Sequence, residues 1–449
     1  MLNQQIIQRD LSVLWHPCTQ MKDHETLPLI PIRRGEGMWL EDFEGKRYLD
    51  AISSWWVNLF GHANPRINAA IREQLETLEH VILAGFSHEP VIELSERLIK
   101  LTPSNLTHCF YADNGSAVIE VALKMSFHYW RNQGQPEKTK FITLQDSYHG
   151  ETLGALAVGD VALYKETYAP LLMPALTAPS PAGCYAETGE SYESYARRQF
   201  VAMETLLEKH AKEVAAVIIE PLVQCASGMR MHHPVYLSLL REACNQYEVH
   251  LIADEIAVGF GRTGTLFACE QANISADFLC LSKGLTGGYL PLSVVLTTDE
   301  IYQAFYADYT TLRAFLHSHS YTGNPLACRA ALATLNIFAE DNVIESNHQL
   351  AQIMAEVTRP LQDHPHVGEV RQQGMIVAIE MVKDKTTRQP YPWQERRGLT
   401  IYQHALKEGA LLRPLGNVIY LMPPYIITPE QIQQLAEIAQ TGIELATSD

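Results

Sequence analysis

Two short apolar runs constrain this chain more than anything else in it. Val249-His250-Leu251-Ile252-Ala253 and Phe278-Leu279-Cys280-Leu281 are too brief for helices, and each stops at a charged side chain. Asp254 ends the first, and Lys283 stands just past the end of the second. Runs of this length and composition read as buried strands. Small, flexible residues follow the lysine, Gly284 to Gly288, leaving room for a ligand to approach its amine. In an open α/β sheet, ligands bind beyond the carboxyl ends of the strands. Asp254 and Lys283 are therefore expected to face one crevice.

Strands buried on both faces need helices over them, and the flanking sequence supplies a matching rhythm. Helices are expected at 90–101, 117–130, 195–210 and 234–246, and strands at 109–112, 140–145, 215–220, 250–254 and 292–298. This alternation implies an α/β fold, a mostly parallel sheet flanked by helices. Upstream, residues 1–65 read as irregular apart from a hairpin over 37–50, and 65–79 as an amphipathic helix. A long helix at 325–338 leads into a smaller α+β unit with strands at 370–381 and 411–422. Its last helix opens at Thr428-Pro429-Glu430-Gln431, with Thr at the N-cap, Pro at N1 and Gln at N3.

The chain's 449 residues are enough for two or three domains. Its net charge of −17 argues against nucleic acid or an anionic membrane as a partner. The cysteines are scattered without a C-x-x-C pair, which suits reduced thiols and neither a disulfide framework nor a zinc site. Met1-Leu2-Asn3-Gln4-Gln5 lacks the basic-then-apolar pattern of a secretory signal, and no apolar run is long enough to span a bilayer. A cytoplasmic protein is expected.

An amine and a carboxylate at neighbouring strand ends suit pyridoxal 5'-phosphate. That cofactor needs a lysine for its Schiff base and an acid to keep its ring nitrogen protonated. A strand-end aspartate beside an unrelated surface lysine is the plainer alternative. Asn114-Gly115-Ser116, between a strand and a helix, forms a junction where N–H groups and the helix dipole favour a phosphate. It also reads as an ordinary turn. Tyr148 and His149 follow the next strand, placed to stack on a planar ring or to form a buried hydrogen-bonded pair. Glu220 is a third strand-end acid, suited to supporting its neighbours. Arg413, a cation in an apolar run, is costly unless paired, either with a carboxylate of the chain or with one on a substrate.

Gly259, Gly261 and Gly264 spell G-x-G-x-x-G, a dinucleotide signature. That motif belongs in the first strand–helix turn of its fold, whereas here three strands precede it. Besides a pyridoxal-phosphate enzyme, a nucleotide-dependent oxidoreductase and a catalytically idle cofactor-binding scaffold remain open at this point.

Residues 252–264, Leu281 to Gly288, and Thr322-Gly323-Asn324-Pro325-Leu326-Ala327 resemble class III aminotransferases of fold type I. The resemblance runs from about Trp15 to Tyr425. It implies a large cofactor-binding domain at 66–330 and a small domain at 331–449, with 1–65 contributing to the small domain and the active site. It further implies that Lys283 carries the cofactor and shuttles a proton, that Asp254 pairs with the ring nitrogen, and that Tyr148 stacks on the ring. Gly115 and Ser116 would hold the phosphate, with His149 at the ring edge. Ser320 would offer its hydroxyl to the phosphate of a neighbouring subunit, so a homodimer with shared active sites follows. Trp55, Tyr148, Arg413 and Tyr420 would line the substrate pocket, with Arg413 on the substrate carboxylate.

A second set of phrases resembles one branch of that class: Trp15-His16-Pro17, Ser53-Ser54-Trp55-Trp56, Tyr148-His149-Gly150, Gly228-Met229-Arg230-Met231 and residues 419–426. This branch implies amino transfer from S-adenosylmethionine to 8-amino-7-oxononanoate, in biotin synthesis. Transamination of another ω-amino acid, a diamine or lysine is the alternative. One position departs from the pattern: the branch reads Trp-His-Pro-Tyr-Thr, and here Cys18 replaces the tyrosine.

Overall fold

The strand-and-helix rhythm folds into a seven-stranded sheet in the computed structural model, which describes residues 2–27, 29–187 and 189–448. Met1 and Asp449, the ends of the two expected terminal segments, lie outside the described residues. The strands are β1 (Leu106–Ala112), β2 (Lys140–Leu144), β3 (Leu176–Ala178), β4 (Val214–Ile219), β5 (His250–Asp254), β6 (Phe278–Leu281) and β7 (Ser293–Thr298). Their spatial order is β1-β7-β6-β5-β4-β2-β3. The five from β6 to β3 are parallel, while β7 runs antiparallel to both of its neighbours. Every residue of β4, β5 and β6 is buried, as continuous apolar runs covered on both faces require.

Helix Gly115–Asn132 lies across one face, packing on β4, β5, β6 and β7. Helix Pro325–Glu340 packs on helices Pro65–Leu75 and Glu89–Leu101 and on the turn that begins at Lys283. That contact fixes the lysine's backbone from behind. No helix among the described residues is long and apolar enough to cross a membrane.

Among the described residues, two four-stranded sheets and one two-stranded ribbon, Val223–Gln224 with Arg230–Met231, accompany the seven-stranded sheet. Trp39–Asp42 and Arg47–Asp50 form the expected hairpin, extended by Ile32–Glu36 on one side. On the other side Arg47–Asp50 pairs in parallel with Ala410–Leu411. The second small sheet joins Val367–Gln373, Ile376–Asp384, Gln389–Pro390 and Val418–Leu421.

Several expected elements differ in detail. The run 370–381 is a hairpin that turns at Gly374, whose φ of 57° suits glycine. The run 411–422 divides between both small sheets, interrupted by Pro414 and by Gly416 with φ 58°. Arg413 therefore sits in the connection between strands and not on a strand. Residues 1–65 are not irregular throughout, because Leu2–Leu11 is helical. None of that helix's residues is buried, so it carries little of the periodicity that reveals packed helices. The C-terminal part also contains helices Val343–Thr358 and Arg397–Lys407. Its last helix, Pro429–Thr447, has the expected reciprocal cap between Thr428 and Gln431.

Candidate active site

The carboxyl ends of β5 and β6 bring Asp254 and Lys283 to one cavity, together with Gly115, Ser116, Tyr148 and His149. Its volume is about 190 Å³, and Trp56, Asn114, Gly150, Glu220, Ile256, Ala257 and Val258 complete the lining.

Asp254 is buried and doubly bound. Its Oδ1 accepts the Ile256 N–H at 3.1 Å, and its Oδ2 lies 2.7 Å from His149 Nδ1. The imidazole therefore holds the carboxylate in one orientation while leaving it facing the cavity. The neighbouring Glu255 is structural: its two oxygens accept the Ala268 and Cys269 N–H groups at 2.6 and 2.8 Å.

Lys283 opens a short 3-10 turn, Lys283–Thr286, with φ 45°. A non-glycine residue in the left-handed region is uncommon, and such conformations cluster at functional sites. Burial pulls the ammonium's pKa below its ordinary value, against Cys225, Asp254 and Glu220, which raise it. The site thus favours a freer amine base than lysine has in water.

Glu220 is buried beside both groups. Its oxygens accept the Tyr148 N–H at 2.9 Å and the Cys225 N–H at 3.1 Å, tying the Tyr148 loop to the floor. Burial, reinforced by Asp254, pushes its carboxyl up to about 8.

Asn114 caps the helix by accepting the Ala117 N–H at 3.0 Å, which leaves the Gly115-Ser116 turn at the cavity wall. The space there requires glycine. A methyl on Gly115 would lie 3.1 Å from Ile256, and one on Gly150 only 2.1 Å from Ser116 Oγ. Backbone N–H groups can approach a bound anion closely at such a junction.

Four predicted residues lie outside this lining. Trp55 is 39% exposed, and the Arg413 guanidinium stacks over its ring at 4.4 Å. No carboxylate pairs with Arg413 among the described residues, so of the two partners considered the one within the chain is not found there. Tyr420 is buried behind the cavity, where its hydroxyl accepts the Trp56 indole N–H at 3.0 Å. Ser320 is exposed in the segment 309–322, away from the cavity.

Sequence reasoning missed Trp56 and Glu151. Trp56 faces Lys283, although only its neighbour Trp55 was singled out. Glu151 accepts the Tyr148 hydroxyl at 3.0 Å and lies 3.9 Å from Cys18 Sγ. Its place directly after Tyr148-His149-Gly150 was the available signal. Burial and Glu151 both raise the Tyr148 phenol, so it stays protonated and donates.

The G-x-G-x-x-G segment has a different task. Arg262 within it is buried and donates to the Pro423 and Asn58 carbonyls at 2.8 and 3.0 Å. These glycines shape a loop that joins distant parts of the chain, with only the short 3-10 helix Ala268–Ala272 after it.

Residues 20–443 match the family model described as aminotransferase class-III. An adenosylmethionine-8-amino-7-oxononanoate aminotransferase of Helicobacter pylori is 50% identical over 431 residues, covering 95% of this chain and 94% of its own. The crystal structure of the Methanocaldococcus jannaschii protein of the same name superposes with a TM-score of 0.93 at 40% identity, covering 98% and 99% of the two chains. An ω-transaminase of Pseudomonas jessenii in complex with PMP superposes at 0.94 with 29% identity, covering 98% of each chain.

Proposed function

The chain belongs to the class III aminotransferases, and on that premise we propose that it transfers an amino group from S-adenosylmethionine to 8-amino-7-oxononanoate. The product is 7,8-diaminononanoate, an intermediate of biotin synthesis. The observation that carries the amino-transfer chemistry is the convergence of Lys283, Asp254 and the Gly115-Ser116 turn on one cavity, and the choice of substrates is supported by the 50% identity to the Helicobacter pylori enzyme.

The residues of that cavity fit pyridoxal 5'-phosphate. Gly115 and Ser116 would hold its phosphate, Asp254 its ring nitrogen, Tyr148 its ring face, and Lys283 its reactive carbon. Bound there, the cofactor supplies an electron sink for the pair left behind when the substrate Cα loses its proton. Lys283 Nζ, when neutral, would take that proton and give it up again within the same half-reaction, and the second half-reaction would run the same transfer in reverse. Burial favours the neutral amine needed for this. His149 fixes the orientation of Asp254, so that the carboxylate would be aimed at the ring nitrogen. The unpaired Arg413 orients the substrate carboxylate through its two-pronged guanidinium.

The reading extends to a cytoplasmic homodimer. Ser320 lies among Tyr309, Leu312, Leu316 and Tyr321, which are 93%, 79%, 90% and 64% exposed. Large apolar side chains exposed together in one segment suit an interaction face. A second subunit covering it would bring Ser320 to the neighbour's phosphate.

The decisive experiment combines attachment with donor choice. The purified protein should be yellow with cofactor, borohydride should fix the cofactor on Lys283, and Lys283→Ala should lose both attachment and turnover. With 8-amino-7-oxononanoate as acceptor, adenosylmethionine should outperform lysine and ω-amino acids. Fixation on another lysine would sink the assignment of Lys283. Transfer from lysine alone would replace the donor.

A further inference from the structure

Lys283 Nζ lies 4.9 Å from the centre of the Trp56 ring. An ammonium in that position is attracted by the ring's quadrupole, most strongly for tryptophan and where water is excluded. Trp56 is 4% exposed and makes an edge-on contact with Tyr420 at 6.1 Å, besides the hydrogen bond to its hydroxyl.

The backbone that aims this ring is unusual. Ser53, Ser54, Trp55 and Trp56 have φ values of 52°, 45°, 75° and 72°, four consecutive left-handed residues without a glycine. Each carries a steric cost from its Cβ. Asp50 holds the turn together: its Oδ1 accepts the Ser54 N–H at 3.0 Å, and its Oδ2 accepts the Ser54 hydroxyl at 2.7 Å. Ser53 Oγ donates to the Met422 carbonyl at 2.7 Å. A strained segment fixed this firmly implies that the ring's direction matters.

We infer that Trp56 is a positioning residue that holds the free amine of Lys283 on its ring face whenever that amine is not in covalent use. Four other groups act on the same amine: Asp254, Glu220 and Cys225 favour its charged form, and Arg262 opposes it. A carboxylate in the place of Trp56 would bind the ammonium strongly and retain its proton. An aromatic face attracts the ammonium more weakly and accepts no proton, so it holds the amine in place while retaining its proton less than a carboxylate would. The inference rests on reading Lys283 as the cofactor's lysine, and its test uses the cofactor-free protein.

Competitive acylation with trace acetic anhydride, read at the Lys283 peptide by mass spectrometry across a pH series, gives the pKa and reactivity of this one amine. Trp56→Phe should lower the pKa slightly, and Trp56→Leu by about one unit, a tenfold gain in neutral amine wherever the pH lies below both pKa values. The chain has six tryptophans, and growth on 5-fluoro- and then 5,6-difluorotryptophan weakens the ring face while nearly preserving its shape. The Lys283 pKa should fall stepwise with fluorine number, which keeps the test decisive if Trp56→Leu folds poorly. An unchanged pKa across the fluorinated proteins and Trp56→Phe would overturn the inference. If the acylation series holds while borohydride fixes cofactor elsewhere, the pairing stands and the role of Lys283 in catalysis falls.

Discussion

The floor of the cavity and its mouth are built on opposite principles. On the floor, Asp254, His149 and Glu220 are buried, and backbone N–H groups or a neighbouring side chain fix both carboxylates. At the mouth, Trp55 and Cys18 are exposed, the Cys18–Glu151 contact is long, and the guanidinium of Arg413 stacks on the Trp55 ring. Rigid, desolvated groups suit a chemistry common to every substrate. Loosely held groups suit recognition, since their partners arrive with the ligand. Damage to the floor should therefore affect all substrates alike, while changes at the mouth should discriminate between them.

Asp254→Asn offers the largest test of this division. It keeps the shape but removes the charge opposite the ring nitrogen. We expect turnover to fall about a thousandfold, roughly 4 kcal/mol of barrier, by the same factor for every donor. A loss that differed tenfold between donors would break the comparison, because a floor residue would then be reading the substrate.

Arg413→Lys should have a smaller and more selective effect. Lysine supplies charge but not the bidentate fork, so KM for carboxylate substrates should rise about tenfold in both half-reactions, or about 1.4 kcal/mol. Cofactor absorbance should persist. A colourless or unfolded variant would assign Arg413 to the scaffold instead.

Cys18→Tyr should have the smallest effect. A phenol there adds one hydrogen-bonding group near Trp55 and Glu151, and one hydrogen bond contributes roughly 0.5–1.5 kcal/mol. KM for adenosylmethionine or for the acceptor should fall a few-fold to tenfold, with the resting spectrum unchanged. No gain with adenosylmethionine, together with a loss for lysine, would mean that the mouth is shaped for a different donor.

The same division governs what could be read from the sequence. Asp254, Lys283, Gly115 and Ser116 were legible because strand ends and strand–helix junctions are local features, and parallel sheets collect them on one edge. The mouth depends on backbone that propensity does not describe. Nothing in Ser53-Ser54-Trp55-Trp56 announces four left-handed residues, since none of them is glycine. Hence Trp55 was singled out for the substrate pocket, while Trp56, which lines the cavity and faces Lys283, was not. Arg413 was assigned to a strand because its apolar neighbours outweighed the Pro414 and Gly416 that interrupt it. The G-x-G-x-x-G segment could be set aside as a nucleotide site from its place after several strands, but the task it has instead, through Arg262's distant carbonyl partners, is invisible in sequence.

The pairing of Arg47–Asp50 with Ala410–Leu411 also matters for how the chain is made. Lys46 reaches the Lys407 carbonyl across 361 residues, and Ser53 reaches Met422 across 369. At ~5–20 residues per second of synthesis, the N-terminal hairpin waits roughly 20–70 seconds on the ribosome for its partner strand. Throughout that interval the strained tryptophan turn lacks its Met422 anchor. The β1–β7 sheet, complete by Thr298, can meanwhile assemble. The catalytic floor is thus finished first, and the wall that faces it closes only after nearly all the chain has emerged.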